Sequence, residues 1–473
     1  MTAGRLVIPA LRWSSDTGFS HEEPLIASAL EFGAGGFILF GGTADAVRTL
    51  TARLRREAGR PILVAADLER GAGQQVAGLA ELPPPLALES LGEPAVIRGA
   101  GLLTAAEALS VGVNWILAPV ADLDLEPDNP IVQTRSFGAD PERTAAAVAN
   151  WIAGCEAGGA LACAKHFPGH GRTRVDSHDL LPVVEASAAV LRATDLVPFR
   201  AAVAAGVSSV MTSHVAYPAL DPSGLPATLS APILAMLRHE LGFEGLIVTD
   251  AMMMEGSRAG RTPVQAAVDA LVAGVDLLLY PDDPVAVAEA LSRMAQQGGA
   301  GGRRIEAALD RVERAARRGE ANLLPDVEIH AGSSEALGDW LVARPLAHGD
   351  LGPISGPLEL VTVDDDEGQK YPPSSPTTAV AEALAARGVP LGAGGSRIVL
   401  AFAEPRASKG RAGFGPTARQ QLAEASRGAA LVVVFGHPRL AAAVPAGPPV
   451  LVAWHRQRLM QRAVARFLAE RLA

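Results

Sequence analysis

The chain is poor in the features that mark several protein classes. Its 473 residues include two cysteines, Cys155 and Cys163. That excludes the disulfide framework of a small secreted domain and points to a reducing, cytoplasmic setting. Charged residues are 19% of the chain against 49% hydrophobic, so intrinsic disorder is excluded, because so much apolar surface must collapse into a core. A basic surplus is also missing. The formal net charge is −10, which argues against a dedicated nucleic-acid binder with its basic face. No apolar run approaches the ~18–20 residues of a membrane span. The short run Leu6–Leu11 has no basic stretch before it, so no leader is expected. Lysine occurs only at 165, 370 and 409, the other basic residues being arginine. That singles out Lys165.

What the chain has is alternation. Short apolar runs predict eight strands, Leu6–Leu11, Gly36–Phe40, Ile62–Ala66, Asn114–Pro119, Ala160–Lys165, Ser208–His214, Leu246–Asp250 and Val275–Tyr280. Between them lie segments with helical apolar spacing, such as Thr144–Ala157, Ala188–Ala205, Ala231–Leu241 and Pro263–Ala273. Strands alternating with amphipathic helices imply parallel strands joined by crossovers. Eight such units predict an α/β fold of the (β/α)8 TIM-barrel type over residues 1–320. An open sheet gives the same pattern. After a linker at 321–335, strands at Leu358–Val363, Ile398–Ala403, Ala430–Phe435 and Val450–Trp454 alternate with helical patterns. They predict a smaller α/β sandwich-like domain over 336–473.

A barrel builds its site at the C-terminal ends of several strands, and polar residues gather there. The third strand runs into Asp67, the fifth ends at Lys165-His166, the sixth at Ser213-His214 and the seventh at Thr249-Asp250. The loop after the fourth carries Asp122, Asp124, Asn129 and Arg135. The densest stretch, Lys165 to Asp179, holds three histidines. His166 and His170 have the i, i+4 spacing of helical metal ligands, but Pro168 and Gly169 between them oppose a helix. No metal and no cofactor are expected. Asp176 two residues before His178 allows a carboxylate–imidazole hydrogen bond, leaving the other ring nitrogen for proton exchange. Taken alone, that tripeptide reads better as a polar loop.

Lys165-His166-Phe167-Pro168-Gly169-His170-Gly171 followed by Asp176-Ser177-His178 resembles the signature of glycoside hydrolase family three. It is most similar to the β-N-acetylhexosaminidase branch of bacterial cell-wall recycling. Further matches follow in the family's order: Asn129-Pro130 with Arg135-Ser136-Phe137-Gly138, Met211-Thr212-Ser213-His214, Pro226 to Ser230, and Leu241 to Asp250. The resemblance implies Asp250 as catalytic nucleophile, His178 as general acid/base and Asp176 as its orienting partner. It implies sugar contacts at Asp67, Arg135, Lys165 and His166, and His214 is added here as a further candidate for substrate binding.

The implied activity is a retaining exo-β-N-acetylglucosaminidase acting on small-molecule glycosides through a covalent glycosyl-aspartate. Alternatives are a β-glucosidase or β-xylosidase of the same family, a phosphorylase using phosphate in place of water, a metal-dependent barrel hydrolase and a non-catalytic sugar-binding barrel. One departure stands out. Where the family carries an arginine this chain has Ala72, with an arginine at Arg70 instead.

Overall fold

The computed structural model describes residues 2–175, 180–323, 332–366, 373–405 and 409–472. The chain divides into two compact units. The first comprises Met1–Ala80, Glu93–Glu126 and Ser136–Ile329; the second comprises Glu81–Gly92, Pro127–Arg135 and His330–Ala473. Two short segments from the first 320 residues thus group with the second unit, and much of the expected linker lies outside the described residues.

In the first unit, β1 (Val7–Ile8), β2 (Ala10–Arg12), β3 (Gly36–Phe40), β4 (Leu63–Ala66), β5 (Trp115–Ile116), β6 (Leu161–Phe167), β7 (Ser209–Thr212), β8 (Leu246–Thr249) and β9 (Leu278–Leu279) are all parallel to their neighbours. β2 to β8 form one sheet in sequence order, and β9 pairs with β1. β1 and β2 are one barrel strand interrupted at Pro9, which has no N–H to donate but accepts from Ile38 N at 2.9 Å. A parallel bridge between Val248 and Leu277 ties β8 to the start of β9. The ring therefore closes with eight strand positions, each at one of the eight predicted runs. Every residue of β4 to β9 is buried, as expected where helices cover a parallel sheet.

The helices follow their local signals. Pro141–Ala157 starts at Asp140, whose carboxylate accepts from Arg143 N at 2.9 Å, and Pro263–Ala273 starts with a Thr262/Gln265 capping box. The pattern at 188–205 is not one helix. It breaks into Ala188–Ala193 and Val197–Ala204, because Thr194 leaves the helical region at a C-cap and Pro198 opens the second piece.

The second unit holds a four-stranded parallel sheet in the order β10 (Leu358–Asp364), β11 (Ser396–Phe402), β12 (Leu431–Phe435) and β13 (Val450–Val452). Alternate residues enter two separate cores. Leu400, Phe402, Val433 and Phe435 pack with helices Ala379–Ala385 and Arg458–Ala469, while Val399, Ala401, Val432 and Val434 pack with Pro416–Ala425. That is a small α/β sandwich. Among the described residues no helix is long and apolar enough to cross a membrane.

Candidate active site

The strand register brings the polar strand ends to one level. Phe167 pairs with Thr212 and Thr212 with Thr249, so the residues after β7 and β8 leave the barrel beside the end of β6. Asp250 N donates to Thr212 O at 3.2 Å and Ser213 N to Phe167 O at 2.8 Å, continuing the ladder to the rim. Across β4 and β5, Ala66 pairs with Ile116 and Ile116 with Ala162, which sets Asp67 at the same end of the barrel.

Lys165 is only 2% exposed, and a lysine is buried that deeply only when its charge is answered. Its Nζ lies 2.6 Å from Asp67 Oδ1 and 2.8 Å from Glu69 Oε1. Glu69 was not singled out from sequence. The signal was its i, i+2 spacing from Asp67 just beyond a buried strand, which places two acids beside one cation.

His166 is held twice by Asp122. Its backbone N donates to Oδ1 at 3.1 Å and its Nδ1 to Oδ2 at 2.7 Å. In the neutral ring this leaves Nε2 as an acceptor. Asp122 Oδ1 also accepts from His170 N at 2.6 Å. Burial works to raise the Asp122 carboxyl, but the His166 imidazole, His170 and these N–H donors hold it below its ordinary value. Asp122 is therefore the anchor of the whole turn.

The two glycines of the signature have backbone reasons. Gly169 has φ +136°, and a Cβ on Gly171 would sit 1.8 Å from Leu123 O. The segment is a strand followed by a tight turn, so His166 and His170 do not share a helix. His170 exchanges a hydrogen bond with Thr173 at 2.7 Å, and burial lowers its pKa to about 4. Arg172 grips the buried Asp195 at 2.9 and 3.1 Å. Both residues shape the turn.

Asp250 closes the constellation. Its Oδ1 accepts from Ala251 N at 2.7 Å, which fixes the carboxylate. Its charge is felt along β6 and the turn that follows it: it acts on His170 together with Asp122 and His166, and on Cys163 together with Lys165 and Asp67. The Cys163 thiol, behind them in the core, is pushed up to about 12 by burial and stays protonated. His214 is fully buried; its Nε2 donates to Ala251 O at 3.1 Å and its Nδ1 pairs with Thr228 Oγ1 at 2.8 Å. It thereby holds the residue that follows Asp250. Met252 and Met254 are buried, whereas Met253 is exposed.

The structure thus gathers Asp67, Lys165, His166, His214 and Asp250 at one end of the barrel. Arg135 belongs to the second unit, where its N donates to Val132 O at 2.8 Å and its Nη1 to Ile131 O at 3.0 Å. Asp176 and His178 lie outside the described residues. Ala72 is fully buried, and Arg70 is half-buried with its N donating to Gln74 Oε1 at 2.9 Å. No group of three His, Cys, Asp or Glu side chains arranged to hold a metal occurs among the described residues.

Comparison with known proteins gives the family and the fold. Residues 24–315 match the glycosyl hydrolase family 3 N-terminal domain. A β-hexosaminidase of Nitrosospira multiformis is 36% identical over 271 residues, 55% of this chain and 77% of that protein. A β-N-acetylglucosaminidase/β-glucosidase of Cellulomonas fimi is 37% identical over 247 residues, 50% of this chain. The match spans less than half of that longer relative, 44% of its length. Among solved structures, a glycoside hydrolase family 3 β-N-acetylglucosaminidase from Paenibacillus sp. strain FPU-7 superposes with TM-score 0.84 at 25% identity, covering 100% of this chain and 96% of its own.

Proposed function

Since this chain belongs to glycosyl hydrolase family 3, it is a glycoside hydrolase, and we propose that it is a retaining exo-β-N-acetylglucosaminidase. Its substrates in this reading are cell-wall or chitin-type glycosides with a terminal β-linked N-acetylglucosamine, met during cytoplasmic cell-wall recycling. One observation carries the reading: a fixed strand-end carboxylate, Asp250, shares a charged neighbourhood with the Lys165–Asp67–Glu69 cluster and the oriented ring of His166.

In the proposed mechanism Asp250 attacks the anomeric carbon and forms a glycosyl ester as the glycosidic bond breaks. The His178 imidazolium, oriented by Asp176, gives its proton to the leaving oxygen, then takes one from the water that cleaves the ester. Two inversions leave the configuration unchanged. Lys165 and Asp67 hold sugar hydroxyls by charge-assisted hydrogen bonds, and His166 Nε2 accepts another. His214 acts by positioning Ala251 beside the nucleophile.

A panel of 4-nitrophenyl β-glycosides tests this. The N-acetylglucosaminide is expected to exceed the glucoside and xyloside in kcat/KM by about tenfold or more. Asp250→Ala is expected to lower kcat by about a thousandfold or more. An Asp250→Ala variant as fast as the parent overturns the reading. Product analysis with and without phosphate tells hydrolysis from phosphorolysis.

A further inference from the structure

The opposite end of the barrel, where the strands begin, takes no part in the proposed reaction, yet charged groups gather there round a cavity. A cleft of about 270 Å³ is lined by Leu161 at the start of β6, Ser208 just before β7 and Leu246 at the start of β8. Asp250 lies four residues beyond Leu246, about 13 Å along the strand at ~3.3 Å per residue. The cleft is therefore separate from the candidate active site.

Helix Gly299–Ala321 supplies the cationic wall. Arg311, Arg314 and Arg318 have the i, i+3, i+7 spacing of one helical face, and all three line the cleft. Two of them have partners among the barrel's acids. Arg318 pairs with Glu156, and its Nη1 donates to Ser208 Oγ at 3.1 Å. Arg311 Nη1 lies 3.2 Å from Asp276 Oδ1. Arg314 is exposed, and among the described residues no carboxylate lies within 4.0 Å of its guanidinium.

Asp276 cannot answer Arg311 in full. It is wholly buried and also pairs with Arg238, with Arg304 Nη2 at 2.8 Å and with the Ile247 N–H at 3.0 Å. Three guanidinium groups thus share one carboxylate. Burial lowers the pKa of Arg238 to about 10; Asp276 opposes this, while Arg311 and Arg304 push the same way as burial. One buried nitrogen of Arg304, Nη1, has no hydrogen-bond partner among the described residues.

The charge count is one-sided. Five guanidinium groups line or back the cleft, against the carboxylates of Asp276, Glu156 and Glu244. That leaves a local excess of two positive charges in a chain whose net charge is −10. Pairing for stability alone needs no such excess, and the mutual repulsion is relieved by an anion.

We propose that this cleft binds a phosphate dianion, either inorganic phosphate or the phosphomonoester of a small hydroxylated molecule. A phosphomonoester carries about −1.5 to −2 at neutral pH, which matches the excess; a carboxylate answers half of it. Arg314 offers an unoccupied planar fork for two phosphate oxygens, with Arg311 and Arg318 one turn to either side. The cleft has the volume of about nine waters at ~30 Å³ each, room for phosphate and a small carrier. Glu244, exposed in the lining and without an ion pair among the described residues, is an acceptor for a carrier hydroxyl. A ligand held this way ties the helix to the starts of β6, β7 and β8, and so stabilises the barrel. The site is independent of the glycosidase reading.

Isothermal titration of the full chain tests this with inorganic phosphate, glucose 6-phosphate and glucose, at matched ionic strength. At least one phosphate is expected to bind, with an affinity that falls as salt is added, and glucose is not. Arg314→Gln is expected to weaken that binding about tenfold or more. Arg56→Gln removes another exposed arginine without an ion pair among the described residues, on helix Ala44–Ala58, and is expected to leave binding unchanged. Tighter binding of the ester assigns the site to a phosphomonoester, and equal or tighter binding of inorganic phosphate assigns it to the free ion.

Thermal unfolding gives a second readout. The same phosphate is expected to raise the parent's Tm and to leave that of Arg314→Gln where it stands without phosphate. Absence of binding by either phosphate, binding that survives Arg314→Gln, or an equal loss in Arg56→Gln overturns the proposal.

Discussion

Lys165 is 2% exposed at the end of β6, and Asp67 and Glu69 together answer its charge. Removing one acid leaves the ammonium under-compensated in a poorly solvated place, and the side chain then gives up its fixed position. Glu69→Gln keeps the shape and removes the charge. It is expected to lower kcat/KM on an N-acetylglucosaminide by about tenfold or more, roughly 1.4 kcal/mol of transition-state stabilisation. Steady-state kinetics with a circular dichroism control checks this; parent-like kinetics contradicts the role given to Glu69. Lys165, Asp67 and Asp250 were legible in the sequence because each is a charge ending an apolar run. Asp122 was visible only as one of several acids in a loop. Its partners His166 and His170 lie 44 and 48 residues further on, and pairing at that range is decided by the barrel register.

At the scale of elements, the turn after β6 is held by a buried carboxylate and a buried imidazole. Burial lowers the pKa of His170 to about 4 from its ordinary 6.5, so the folded protein keeps this ring neutral. The unfolded chain binds a proton there below about pH 6.5 and the folded chain does not until about pH 4. Stability from this group is therefore complete above pH 6.5 and is lost progressively as pH falls towards 4, by roughly 3 kcal/mol in all. Urea unfolding of the parent and His170→Gln across that range is expected to give a steeper acid loss for the parent. Equal slopes contradict it. Helix boundaries show a second limit of the sequence. Pro263–Ala273 was readable because Thr262 and Gln265 mark its start, whereas the alanine-rich pattern at 188–205 concealed a break serving Asp195, the partner of Arg172.

At the scale of the whole chain, a parallel barrel and a small parallel sandwich each put charged groups at the carboxyl ends of their strands. In the second unit these groups answer one another: Lys409 is fully buried between Asp365 and Asp366, and Arg456 spans Asp364 and Asp366. In the barrel Lys165 pairs with Asp67 and Glu69 at the end that also carries Asp250. Strand alternation made both architectures readable, while the assignment of Glu81–Gly92 and Pro127–Arg135 to the second unit was not, since grouping of distant segments leaves no periodic trace.

The central claim is that Asp250 bonds covalently to the sugar. Peptide mass spectrometry after brief exposure to an activated 2-deoxy-2-fluoro β-glycoside tests it most directly. One fluoro-sugar adduct is expected on the peptide that contains Asp250, and none in Asp250→Ala. Turnover without any adduct, or an adduct on another carboxylate, contradicts it.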